Sequence, residues 1–325
     1  MMFSGTHRIC LLMLIAIIAS CGGGGGGGGI AGVSSPGGGG IGGTGITSSG
    51  TVDGFGSIFV NGVEFETDEA EILVDGEPVT EEALGLGMVV VVSGTVNDDG
   101  TSGVAERVTY DQEVKGPVES IERDQDGDSM LVVVTGQEVI AERTGTVFEG
   151  VSFDSLAVGD VVEVSGFANG QGQLRATRIE REGEFVPGVS KVEVEGIVTQ
   201  LTATEFILDG LIVDYSNADL SDLPGGELQE GMLVEVVGTL EDGRILATRI
   251  ELEGGVEDAF DDDEQVNVEG TISNFASRAD FQVNGVPVNA SNATLQPTSL
   301  VLENGVVVEA QGTWNGSVLQ AEIVG

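Results

Sequence analysis

Asp124, Asp126 and Asp128 alternate through the run Asp124-Gln125-Asp126-Gly127-Asp128. That spacing suits calcium, a hard cation that takes about six to eight oxygen ligands. The run departs from an EF-hand loop, because its glycine comes two positions early and Thr135 stands where a closing glutamate is needed. A solvated Asp/Gly turn is the plainer reading of the same residues. Other chemistry is limited by what the chain lacks. His7 is the only histidine, and Cys10 and Cys21 are the only cysteines. All three lie at the extreme N-terminus, so the rest of the chain cannot build a Ser-His-Asp triad, a Cys-His pair or an ordinary zinc site. A pair of carboxylates alone can hydrolyse a glycoside, but no pair stands out among the 54 acids.

The N-terminus reads as an export signal: a short polar start with His7 and Arg8, an apolar run from Ile9 to Ile18, then small residues. The run falls short of the roughly 20 apolar residues that span a bilayer. Ile18-Ala19-Ser20-Cys21 resembles the bacterial lipobox, which implies a signal peptide over 1–20, cleavage before Cys21 and lipid on its thiol. An ordinary signal with a chance cysteine is the alternative. Gly22, where some lipoproteins carry Asp, implies by the same resemblance an outer-membrane address in the bacterial cell envelope. Residues 21–49 are Gly/Ser-rich, beginning with Gly22 to Gly29. They offer too few large side chains to offset the entropy of ordering a backbone, and are expected to form a disordered tether reaching roughly 30 Å.

The formal charge is −42, and loss of Arg8 with the leader leaves the exported chain one unit more negative. Such a field repels nucleic acid, whose binding needs clustered Lys and Arg. It repels anionic lipid headgroups as well, so any membrane attachment would run through the lipid on Cys21. With Cys10 removed and Cys21 acylated, no disulfide forms.

The elements that would position any site repeat four times. Gly87 to Gly94, Gly159 to Gly166, Gly231 to Gly238 and Gly305 to Gly312 share one glycine spacing around valine-rich alternations. Upstream of each, a hairpin is predicted around Asn61-Gly62, Gly136, Asp209-Gly210 and Asn284-Gly285. Further upstream lies a short strand with a glycine, and downstream a fifth strand near Val108, Ile179, Ile250 or Ile323. Pairing Val90 with Val108, Val162 with Ile179, Val234 with Ile250 and Val308 with Ile323 centres all four final loops on turn residues. That register sets Glu163 opposite Arg178, Glu235 opposite Arg249 and Glu309 opposite Glu322, and reads the recurring Arg107, Arg178 and Arg249 as cross-strand ion partners. Trp314, beside the Asn315-Gly316 turn, reads as a half-buried hairpin aromatic, with stacking on a sugar or protein surface as the alternative.

Strand, hairpin, a short irregular or helical piece and a final hairpin is the order of an OB-like five-stranded barrel. The expected fold is all-β, with barrels over 50–114, 115–188, 189–256 and 266–325 and a solvated acidic linker over 257–265. Tandem Gly-Thr-Val, Phe-x-Val-Asn-Gly-Val, Gly-x-x-Val-x-Val-x-Gly and Ala-Thr-Arg-Ile segments resemble the bacterial domain of unknown function 5666, found in exported lipoproteins. The resemblance implies small β-barrels in the envelope and implies no activity. Three readings follow. The leading one is a non-catalytic envelope lipoprotein without cofactor whose repeats bind or space protein or glycan partners. The second is a calcium-dependent surface module using Asp124, Asp126 and Asp128. The third is a carboxylate-based glycoside hydrolase.

Overall fold

A computed structural model describes residues 44–325. Repeat 1 contains β1 (Thr44–Gly54), β2 (Ile58–Val60), β3 (Val63–Glu66), β4 (Glu71–Val74), β5 (Glu77–Val79), β6 (Val89–Val96) and β7 (Ser102–Tyr110). Repeat 2 contains β8 (Val114–Arg123), β9 (Ser129–Val134), β10 (Gln137–Glu142), β11 (Val147–Glu149), β12 (Asp160–Ala168) and β13 (Gln173–Glu184). Repeat 3 has β14 (Lys191–Ile197), β15 (Glu205–Leu208), β16 (Leu211–Asp214), β17 (Leu233–Glu241) and β18 (Arg244–Leu252). Repeat 4 has β19 (Gln265–Ser277), β20 (Asp280–Val283), β21 (Val286–Asn289), β22 (Thr294–Leu295), β23 (Val307–Trp314) and β24 (Leu319–Val324).

Every repeat closes in the OB order. The first strand pairs with the second (in repeat 3 only through the Thr199–Ile207 bridge just past β14), the second with the third, the third runs parallel to the last, and the last returns through the fourth to the first. In repeat 2 this is β8–β9, β9–β10, β10–β13, β13–β12 and β12–β8. The four predicted hairpins form as read. Their turns place Asn61, Asp209 and Asn284 at φ 52°, 45° and 45°, each followed by a glycine that is also positive. That backbone matches strand twist and suits Asn, Asp and Gly.

The final hairpins depart from the expected register. Val92 faces Val108, Val164 faces Ile179 and Val236 faces Ile250, while Gln311 faces Ile323. One residue of the difference is a β-bulge opposite the second glycine of each motif, between Ser93 and Gly94, Ser165 and Gly166, Val237 and Gly238, and Gln311 and Gly312, where the last strand carries an extra residue; the rest is a shift of the turn itself. Each bulge glycine lies against an alanine of the last strand, and a Cβ on Gly166 would meet the Ala176 Cα at 3.0 Å. Glu163 consequently faces Glu180, Glu235 faces Glu251, and Glu309 exchanges backbone hydrogen bonds with Gly325. Two of the recurring arginines serve another purpose, while Arg249 pairs with Glu251 on its own strand. Arg107 bonds Glu71 of β4 at 2.7 Å and Arg178 bonds Glu149 of β11 at 2.5 Å, so each staples the segment after the third strand to the last strand.

The barrels are joined by their first strands. The early half of β1 pairs in parallel with β19 (Ile46 to Ser49 against Gln265 to Val268) before β1 turns to β2. Likewise, Val114 and Lys115 of β8 pair with Val194 and Glu193 of β14 before β8 turns to β9. Repeats 2 and 3 share one continuous apolar core, and repeats 1 and 4 have one each. Residues 44–49, assigned above to the tether, are therefore strand: Thr47, Ser48 and Ser49 are buried between β6 and β19. Asn61 locks this seam, its Nδ2 donating to Ser48 Oγ at 3.0 Å and to the Ser49 carbonyl at 2.9 Å. The linker ahead of repeat 4 is exposed at Asp261, Asp262 and Asp263 but anchored by Phe260. Trp314 is core rather than half-buried, 5% exposed and edge-on to Phe260 at 5.3 Å, so it offers no stacking face.

Candidate functional site

Cys21 lies outside the described residues, which begin at 44. The Asp124–Asp128 loop joins β8 to β9. Asp124 Oδ1 accepts the backbone N–H of Asp128 at 3.0 Å and of Ser129 at 3.3 Å, so this carboxylate organises its own turn. Its hydrogen bonds, first that of Ser129, hold the Asp124 carboxyl below the usual range. Asp126 and Asp128 are exposed. The Gly127 carbonyl, an oxygen a cation would want, accepts from Arg143 Nε at 3.0 Å and Nη2 at 2.9 Å, and Arg143 also pairs with Asp154 at 2.9 Å. Among the described residues no group of three or more His, Cys, Asp or Glu side chains is gathered to hold a metal ion. Matched melting curves in calcium and in chelator are the expected result. Asp124→Ala should speed amide exchange at Asp128 and Ser129 while leaving the melt in place, and a calcium-dependent rise in melting temperature would overturn both expectations.

Among the described residues a concave surface lies elsewhere, where repeats 1, 2 and 4 meet. A cleft of about 370 Å³ runs between Thr51 and Asp53 of β1, Leu86 ahead of β6, Phe167 and Arg175 of repeat 2, and Glu269 of β19. It continues past Asp53 and Glu269 into a smaller one of about 260 Å³ bounded by Asn61, Glu309 and Gly325. The volume sits at the low end for a small-molecule pocket. Its floor is acidic: Glu269 Oε2 accepts from Thr51 N at 2.8 Å and Thr51 Oγ1 at 2.7 Å. Partial burial and then Glu269 raise the Asp53 carboxyl, while burial, Glu269 and Asp53 raise Glu309 against a hydrogen bond from Asn267. Arg175, paired with Glu142 at 3.0 Å, supplies one positive rim. The arrangement accepts hydrogen bonds from hydroxyl or amino groups, and Phe167, 2% exposed, is too buried to stack on a ring. Sequence reading passed over these residues. The available signal was the position just before each first-strand glycine, occupied by Ser49, Lys115, Glu195 and Glu269. In each repeat that position sits at or beside the inter-repeat seam.

Four five-stranded barrels of OB order, paired two by two through their first strands, make this a tandem OB-like repeat protein. The chain belongs to the family described as Domain of unknown function (DUF5666), which matches residues 45–109, 115–180, 195–251 and 269–324. No curated protein matches the chain.

Proposed function

We propose that the chain is an exported lipoprotein, held through lipid on Cys21 to the bacterial envelope at the outer membrane. Its four barrels act without catalysis as a binding and spacing module for a protein or glycan partner. The observation that carries this reading is the sharing of first strands between repeats, β1 with β19 and β8 with β14. Strand pairing across two seams joins the repeats into two pairs, 1 with 4 and 2 with 3, and side-chain bonds such as Gln112 to Glu193 and Thr177 to the Gly87 carbonyl bring the pairs together, with the cleft where three repeats meet. Free barrels on a string would have neither property. The acidic charge argues against nucleic acid and for covalent attachment.

Palmitate labelling and detergent partition of the full chain test the anchor. The expected result is a labelled, membrane-retained protein and loss of both properties in Cys21→Ala; unchanged retention of the variant would overturn it. A photo-crosslinker at Leu86, beside the cleft, should give a discrete adduct in intact cells. The same group at Val301, exposed and not part of the cleft lining, should not. Identical adduct patterns would remove the cleft from the reading.

A further inference from the structure

A second gathering of acids lies under repeat 1, where it covers the joined repeats 2 and 3. Glu195 of β14 faces Glu235 of β17, and Glu235 faces Glu251 of β18. One step along the β8–β14 register brings Glu113 across from Glu195. Four glutamates thus form one row over adjacent strands, roughly 4.8 Å apart, and like charges set opposite one another are destabilising. Repeat 1 closes over them through Tyr110 and Gln112. The Tyr110 hydroxyl donates to Glu163 Oε1 at 3.1 Å and accepts from Ser165 Oγ at 3.0 Å. Gln112 Nε2 donates to Glu193 Oε2 at 2.6 Å and to Asp75 Oδ2 at 3.2 Å.

Glu193, Asp111, Arg249, Asp222 and Glu253 act on the row directly, and the charged groups of the surrounding seam come from every element around it. Asp75 follows β4, Asp111 follows β7, Lys115 is on β8, Glu163 on β12, and Arg178 and Glu182 on β13. Lys191 and Glu193 are on β14, Arg249 is on β18, Glu253 follows β18, and Asp222 and Asp258 reach in from loops. The bases are already committed: Lys115 to Glu163 at 2.9 Å, Lys191 to Glu193 at 3.1 Å, Arg249 to Glu251 at 3.2 Å and Arg178 to Glu149 at 2.5 Å. Among the described residues no ion pair reaches Glu113, Glu195 or Glu235.

We propose that this seam is a proton-operated latch, closed while the glutamate row carries protons and parted when the row ionises. Burial, then Glu253 and Asp111, push Glu113 up to about 8. Burial and then a hydrogen bond to Glu193 push Glu235 up to about 9. Burial works against the Glu193 anion, but that hydrogen bond and Lys191 bring its carboxyl below the usual value. Glu253 rises to about 7 and Asp75 to about 6, burial leading in both, and burial followed by Glu113 raises Glu195. A carboxyl raised on folding contributes stability that is fully present below its unfolded pKa and is lost as pH climbs through the folded one. The window is therefore about pH 6 to 9, with opening on the alkaline side. Each proton leaves to solvent, so the latch needs no partner.

Hydrogen–deuterium exchange of the full chain in chelator, corrected for intrinsic rates, reads the latch. Amides of 110–116 and 192–196 should lose about tenfold in protection across the window, while β23 and β24 stay constant. Glu195→Gln/Glu235→Gln, neutral at every pH and shaped like the protonated acids, should keep its protection at the alkaline end. If that pair of changes prevents folding, Glu113→Gln takes its place. Flat protection in the wild type, or an equal loss in the glutamine variant, would overturn the proposal.

Discussion

Gly166→Ala is expected to lose about 3 kcal/mol of stability, the upper part of the range for overpacking a tight contact. The added Cβ would stand 2.8 Å from the Arg175 carbonyl carbon, 3.0 Å from the Ala176 Cα, and closer still to the Arg175 oxygen. These are backbone atoms of a paired strand, so no side chain can swing aside. Relief would require undoing the bulge, which would slip the β12–β13 register and turn Val162 and Val164 away from the core. Repeats 2 and 3 share that core, so denaturation followed by exchange should show both destabilised together. Gly45→Ala is the control, with nothing within 4 Å of its added carbon, and should be close to neutral. Equal midpoints for the two variants would mean that close approach at the bulge is not what demands glycine.

The same bulge marks the limit of what the sequence reveals. Hairpin turns and alternating valines are local, so barrel order and turn positions could be read directly. An inserted residue in a strand changes neither signal, and four loop centres landed on turn residues in a register that was wrong in every repeat. Burial was misread where it depends on distant chain. Thr47, Ser48 and Ser49 resemble tether by composition, yet two flanking strands enclose them. Glu195 and Glu235 alternate with valines as on a solvated face, and the bonds of Gln112 to Glu193, 81 positions away, and of Tyr110 to Glu163 bring repeat 1 over that side of the sheet. The cleft was illegible for the same reason, since its walls come from three repeats.

Lys115→Met should cost about 3 kcal/mol at neutral pH, the scale for breaking a buried ion pair by removing one partner. Lys115 stands opposite Glu163 on one side and Glu193 on the other. Its ammonium lies 2.9 Å from Glu163, with the two side chains only 16% and 13% exposed. Methionine keeps the length of the stem and removes the charge, leaving a poorly solvated carboxylate beside further acids. Two effects could produce such a loss: a missing attraction, or a stranded anion. Lys115→Met/Glu163→Gln separates them, because removing the anion should recover most of the stability if desolvation dominates. A cost below about 0.5 kcal/mol for the single variant would place the pair with solvent-screened surface bridges. Recovery by the double variant would instead identify Lys115 as the base that allows two joined barrels to keep acids on both sides of their seam.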